Sequence, residues 1–183
     1  MKKNIMKFYL ILTILVIFCY SKSLLAQQKE DILMEATELI RDGQYGKALK
    51  NLNKIIKEKG DFAEAFLKRG QVYYELNDYN KMINDCEKTL QINPLLIQAH
   101  FNLGIAYYNL KNYNQSINHF NSFLQSKPQD NEALGWRGMS KFYLQQKKQA
   151  CEDWEKAIDY GNNYVRPFYN KYCVEENATQ ERD

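Results

Sequence analysis

From Lys29 onward, apolar residues recur three or four positions apart in short runs, each closed by a polar, glycine or proline break. That spacing is the period of an amphipathic helix. Ile32, Leu33, Leu39 and Ile40 form the first run, Arg41-Asp42-Gly43-Gln44 breaks it, and Tyr45 opens a second run carrying Ala48, Leu49, Leu52, Ile55 and Ile56. Phe66, Gly70, Tyr73 and Leu76 mark the next helix, and Tyr79, Met82, Ile83, Cys86 and Leu90 its partner. Asn93-Pro94 stops that pair, because proline disfavours helical geometry in the residue before it and brings no amide donor. The stretch His100 to Pro128 repeats the design and stops the same way at Lys127-Pro128; Leu134, Gly138, Phe142 and Leu144 then lead to Ala150, Trp154, Ala157 and Ile158. No strand-like alternation occurs, so the pattern predicts an all-α chain.

The helix pairs are copies of one unit. A step of 34 residues carries Ala36 to Gly70, Gly104 and Gly138; Tyr45 to Tyr79, Tyr113 and Lys147; Leu52 to Cys86, Phe120 and Trp154; and Gly60 to Pro94, Pro128 and Asn162. The units span 29–62, 63–96, 97–130 and 131–162. Beyond Tyr160-Gly161-Asn162-Asn163, the segment Tyr164 to Cys173 predicts a further helix with Pro167 in its first turn, capping the last unit over 163–174. Residues 175–183 are charged, lack an apolar stripe and read as a frayed tail.

Coincident registers at this period, best developed between His100 and Pro128, resemble the tetratricopeptide repeat from about Lys29 to Asn162. The resemblance implies a right-handed superhelical solenoid of four helical hairpins plus a C-terminal capping helix. It also implies that the small residues Ala36, Gly70, Gly104 and Gly138 let the two helices of a unit approach closely. At a second small position this chain has Ala48, Met82, Ser116 and Ala150, of which Met82 departs from the pattern. In that family the first helices line a concave groove that holds segments of other proteins. Carried over by register, the groove falls to Leu33, Thr37, Ile40 and Arg41; to Leu67, Gln71, Tyr74 and Glu75; to Phe101, Ile105, Tyr108 and Asn109; and to Gly135, Met139, Phe142 and Tyr143. Tyr74, Tyr108 and Phe142 make an aromatic row at the repeat period, either as anchors for a partner or as packing between neighbouring helices. Some members hold C-terminal carboxylates with a Lys and Asn clamp; Leu33 and Thr37 stand where its first pair would, and Gln98 and Asn102 where later basic residues would, which argues against that mode.

The start of the chain is a separate object. Lys2, Lys3 and Lys7 precede an apolar run from Phe8 to Tyr20, and Ser23-Leu24-Leu25-Ala26 follows. A basic head, a short apolar core and a small final residue read as a secretory signal peptide over 1–26 with cleavage after Ala26, the alternative being an uncleaved anchor. Removing it takes Lys2, Lys3, Lys7 and Lys22 and no acidic residue, so 25 basic and 22 acidic residues become 21 and 22, and the net charge moves from +3 to −1. A near-neutral remainder without a basic stripe argues against a nucleic-acid partner. The membrane enters only through the signal segment, where that is left uncleaved.

Catalytic chemistry is sparse. His100 and His119 lie on different helices of one unit without a Cys or carboxylate spaced to complete a metal site or a triad, and His100 reads as packing. The glycines follow the repeat period instead of forming a phosphate loop. Cys86 stands where Phe120 and Trp154 stand and reads as a buried filler. Cys151 takes the register of Leu49, Ile83 and Ile117, a position that faces the next unit, here the segment bearing Cys173. Export would permit these two to pair; two unpaired buried thiols are the alternative. The sequence therefore predicts no enzyme and no cofactor. The expected role is a secreted or periplasmic adaptor that binds a protein or peptide segment in its groove, with a structural subunit of an envelope or secretion assembly as the alternative.

Overall fold

The computed structural model describes residues 2–58 and 60–175, all of them in helices or the turns between them. The chain divides into two compact units, residues 1–60 and 61–183, taken in turn.

The first unit is a hairpin of α1 (Lys2–Arg41) and α2 (Tyr45–Glu58). Ala36, Ala48, Leu52 and Ile55 are buried between them. Helix α1 runs without a break through Ala26, since neither Gly nor Pro occurs before Gly43. Among its described side chains, Leu12, Ile14, Leu15, Val16, Ile17 and Phe18 are exposed. Among the described residues no helix is long and apolar enough to cross a membrane.

The second unit holds three hairpins: α3 (Ala63–Glu75) with α4 (Tyr79–Ile92), α5 (Gln98–Asn109) with α6 (Tyr113–Ser126), and α7 (Asn131–Tyr143) with α8 (Lys147–Asp159). Each second helix packs on the first helix of the following hairpin, and α5 touches both α3 and α7. The first helices thus lie side by side as an inner layer, with α4, α6 and α8 behind them. That arrangement curves the unit toward its first helices.

The repeat is written in the backbone as well as in the side chains. Gly43, Asn77, Lys111 and Gln145, each 34 residues after the last, have φ of 69°, 57°, 60° and 62°. Each ends a first helix in the left-handed conformation, and the next amide returns to a carbonyl five residues back: Gln44 to Leu39 at 2.8 Å, Asp78 to Tyr73 at 2.8 Å, Asn112 to Tyr107 at 2.9 Å, Gln146 to Lys141 at 2.9 Å. In two of these turns the same residue then caps the following helix, the Asp78 carboxylate accepting from the Lys81 amide and the Asn112 side chain from that of Gln115.

Inside each hairpin the small residue faces its register partner. A Cβ placed on Gly104 would stand 2.7 Å from the Phe120 ring, and one on Gly138 would stand 2.6 Å from the Trp154 indole. Gly70 faces the smaller Cys86, whose Sγ lies 3.3 Å from the same point. The expected misfit at Met82 is absorbed there: Met82 and Cys86 are buried together with Ala99, Leu103 and Ala106, a large residue offset by a small one. Ser116, at the Met82 register, donates to the Gly104 carbonyl at 2.8 Å and lies 2.8 Å from the Ser140 hydroxyl, which ties the third hairpin to the fourth.

The cap departs from the expected single helix over Tyr164 to Cys173. It consists of a 3₁₀ turn (Asn163–Val165), one turn of α-helix, α9 (Arg166–Tyr169), and a wider π turn (Asn170–Glu175). Pro167 sits at the start of α9, where its missing amide is tolerated. Regular α-geometry ends where Tyr172 packs on Phe142 and Cys173 is joined to Cys151. The expected tail over 175–183 falls, from residue 176, outside the described residues.

Candidate functional site

On the inner layer of the second unit, Tyr74 of α3, Ile105 and Tyr108 of α5, and Glu132, Gly135, Trp136 and Met139 of α7 surround a hollow of ≈ 590 Å³. Asn162, Tyr164, Val165 and Phe168 of the cap close its far side. The walls are mainly rings and aliphatic groups, and Glu132 is the one acidic residue among them. A hollow of this size and lining suits a bulky apolar side chain.

The cap reaches this position because α7 carries glycine there. A Cβ on Gly135 would stand 2.8 Å from Asn162 Nδ2 and 3.1 Å from Val165 Cγ1. Asn162 Nδ2 donates to the Asn131 carbonyl at 2.9 Å, and Asn131 Nδ2 donates to the Tyr160 carbonyl at 2.8 Å, which fixes the start of the cap. The Cys151–Cys173 disulfide fixes its end, with Cα atoms 5.8 Å apart. Phe168 also packs against the Trp154 ring, 6.1 Å between centroids.

Tyr108 is the hub of the ring cluster. It meets Tyr113, Trp136 and Tyr143 edge to face, at centroid distances of 5.8, 5.1 and 6.0 Å, and Tyr113 and Tyr143 stack at 4.9 Å. Burial raises its phenol pKa above the ordinary value, and Tyr143 and Tyr113 raise it further. Tyr74 pairs with Tyr79 at 6.4 Å, the same partnership one repeat earlier, and burial raises its phenol too. Both rings stay neutral, large and restrained.

Of the residues expected in the groove, Tyr74, Ile105, Tyr108 and Met139 meet at the hollow, as does Gly135. Leu33, Thr37 and Ile40 belong to α1 in the first unit, where Thr37 Oγ1 donates to the Leu33 carbonyl. Leu67 packs against the Met82 cluster, Gln71 is half-buried, Asn109 donates to the Ile105 carbonyl, and Tyr143 belongs to the Tyr108 ring cluster. Two positions need correction. Phe101 is a core residue, 9% exposed, packed on Phe120 and Phe123. Phe142 turns toward Trp154 and Tyr172 and anchors the cap. Trp136 takes the place in the hollow that the aromatic row assigns to Phe142. Sequence periodicity misses Trp136, whose register holds Lys68 and Asn102 in earlier units, and it misses the cap residues because the cap has no repeat to be read from.

Residues 43–123 match the family model described as anaphase-promoting complex, cyclosome, subunit 3. Among solved structures, MamA 41-end from Desulfovibrio magneticus RS-1 superposes with a TM-score of 0.72 at 19% identity, covering 82% of this chain and 88% of that one. A further crystal structure of MamA gives 0.67 at 18% identity, covering 75% and 80%. The fold is that of tetratricopeptide repeats. At these identities the likeness to MamA is one of fold. The tetratricopeptide hairpins explain the period, the left-handed turns and the inner layer on which the hollow lies.

The remaining polar groups are arranged for packing. Arg69 grips Asp85 with two hydrogen bonds of 2.8 and 2.7 Å, and Arg137 grips Asp153 with 2.8 and 2.6 Å, joined by Lys141 at 2.8 Å. The two clamps lie two repeats apart. The third hairpin has Leu103 and His119 at those registers instead, and His119 turns to His100. Cys86 is buried as expected, and burial followed by Asp85 pushes its thiol up to about 12, which leaves it unreactive.

Proposed function

We propose that this chain is a non-enzymatic adaptor that captures a segment of another protein on its inner layer, seating a bulky apolar side chain of that segment in the hollow. The observation that carries this reading is the convergence of Tyr74, Tyr108, Trp136 and Met139 on one open hollow, with Tyr74 still 36% exposed. Tyr and Trp offer large contact area with few rotors to freeze, which is why such rings dominate binding energy.

Export to the periplasm or cell envelope is part of the proposal. It is supported by the basic head, the short apolar run and Ala26, and by the exposed apolar side chains from Leu12 to Phe18, a surface that needs cover or removal in water. Fractionation of cells producing the full chain is expected to yield an exported form lacking 1–26; full-length protein confined to the cytoplasm contradicts export.

Binding is tested with a partner segment identified by crosslinking and mass spectrometry. Tyr74→Ala combined with Tyr108→Ala is expected to weaken its affinity by about thirtyfold or more, the scale of losing two hot-spot rings. An unchanged affinity in a correctly folded double variant rejects the hollow as the binding site.

A further inference from the structure

We propose that His100 and His119 form a two-imidazole site for a divalent transition-metal ion of the Zn²⁺ or Cu²⁺ class. The site lies between α5 and α6 and shares no residue with the hollow. His100 Nδ1 and His119 Nδ1 face each other at 3.1 Å. Two nitrogens bound at ~2.05 Å to one ion stand roughly 2.9 Å apart for a right-angled pair and roughly 3.3 Å apart for a tetrahedral one. The observed separation falls between the two, although the nitrogens come from different helices. Imidazole is a ligand type that Zn²⁺ and Cu²⁺ both favour.

The surroundings hold the pair ready. Tyr107 stacks flat on His119, with 5.4 Å between centroids and 4° between planes, and so restrains the orientation of that ring. The His100 and His119 rings lie 5.4 Å apart at 31°. Burial lowers both imidazole pKa values, that of His119 to about 4 with His100 contributing, so the neutral ligand form prevails near neutral pH. In the metal-free pair one Nδ1 carries the shared proton. On binding, that proton moves to Nε2 of the same ring, both Nδ1 lone pairs become available, and no net proton is lost. The two lone-pair axes must tilt off the line between the nitrogens by roughly 35–45° to meet at one ion, and the broad terminal torsion of histidine permits this. Among the described residues no cluster of three or more His, Cys, Asp or Glu side chains is placed to hold a metal, so water completes the coordination sphere and leaves it open to a further ligand.

The departure from the repeat points the same way. His119 stands at the register that carries Asp85 and Asp153, where neighbouring hairpins use an Arg–Asp clamp, and Leu103 has removed the arginine. The hairpin is closed here by two metal-binding side chains in place of an ion pair.

The test uses the untagged full chain stripped with chelator. Titration with Zn²⁺ by calorimetry is expected to show one saturable site per chain, and Cu²⁺ is expected to give an electron paramagnetic resonance spectrum split by two nitrogens. His100→Gln or His119→Gln is expected to weaken binding by at least about tenfold. Nitrogen-15 spectra of the wild-type imidazoles with added Zn²⁺ need no variant and are expected to shift both Nδ1 resonances. Absence of a saturable site, unshifted Nδ1 resonances, or wild-type affinity in both variants overturns the proposal; the last would reveal an ion held elsewhere.

Discussion

Gly104 and Gly138 are small because rings occupy the space a methyl group would need, and the closeness of those rings sets the cost of change. Gly104→Ala and Gly138→Ala drive a Cβ to within 2.7 and 2.6 Å of Phe120 and Trp154, both fully buried and unable to retreat. Overpacking of this kind costs about 1–3 kcal/mol, which outweighs the ~1 kcal/mol that alanine gains over glycine in a helix. At Gly70 the neighbour is the Cys86 Sγ at 3.3 Å, so overpacking and helix propensity nearly cancel and Gly70→Ala should stay within about 1 kcal/mol of wild type. Urea melts of the three variants check this ordering. The small-residue register was legible in the sequence, since Ala36, Gly70, Gly104 and Gly138 recur at the period, but that Gly104 meets Phe120 and Gly138 meets Trp154 is seen only in the structure. The Arg69–Asp85 and Arg137–Asp153 clamps were not legible, because Leu103 and His119 interrupt their recurrence in the hairpin between.

His119 also sets a pH dependence. Its folded pKa of about 4 lies below the ordinary 6.5, through burial and then through His100, so the unfolded chain binds the extra proton first. Stability from this group is complete above pH ~6.5 and is lost as pH falls toward about 4. The groups around it are His100 on α5, whose pKa is also lowered, and Tyr107, whose phenol is raised by burial and then by Glu87 of α4. Melting temperatures measured without metal should fall across this window in the wild type and fall less in His119→Gln; parallel curves contradict the assignment.

At the scale of the element, the turns decide where each hairpin folds back. Lys111 holds φ of 60°, a conformation costing an ordinary L-residue about 1–2 kcal/mol, whereas glycine costs about 0.5–1 kcal/mol in lost freedom. Lys111→Gly should therefore raise stability by up to about 1 kcal/mol, read from the urea midpoint, with the tyrosine cluster beside it unchanged. The breaks at 41–44 and at the two proline stops were readable because glycine and proline act locally. The geometry of the cap was not, since a 3₁₀ turn, four α-helical residues and a π turn are set by the contacts of Asn162, Tyr172 and Cys173 with α7 and α8. The disulfide closes 22 residues, for which chain entropy gives about 3 kcal/mol. Cys173→Ser should cost that order of stability and raise amide exchange over 163–175. In the oxidised, denatured wild type only Cys86, and Cys19 where residues 1–26 are retained, should take a thiol label.

At the scale of the molecule, the hairpins supply a rigid inner layer and the cap turns part of it into a hollow. Tyr74, Ile105, Tyr108 and Met139 were assigned to the inner face by their register in the tetratricopeptide resemblance, and all four line the hollow. Phe101 and Phe142 followed the same register and went elsewhere, since Phe120 and Tyr172 offered them closer partners. Glu132 adds one negative charge beside the rings, which favours a segment whose apolar anchor is accompanied by a lysine or arginine. The most direct measurement is photo-crosslinking in cells from a photoreactive residue placed at Met139 on the inner layer or at Asn118 on exposed α6. Capture of one partner from Met139, abolished by Tyr108→Ala and absent from Asn118, is the expected result; capture from Asn118 with none from Met139 contradicts it.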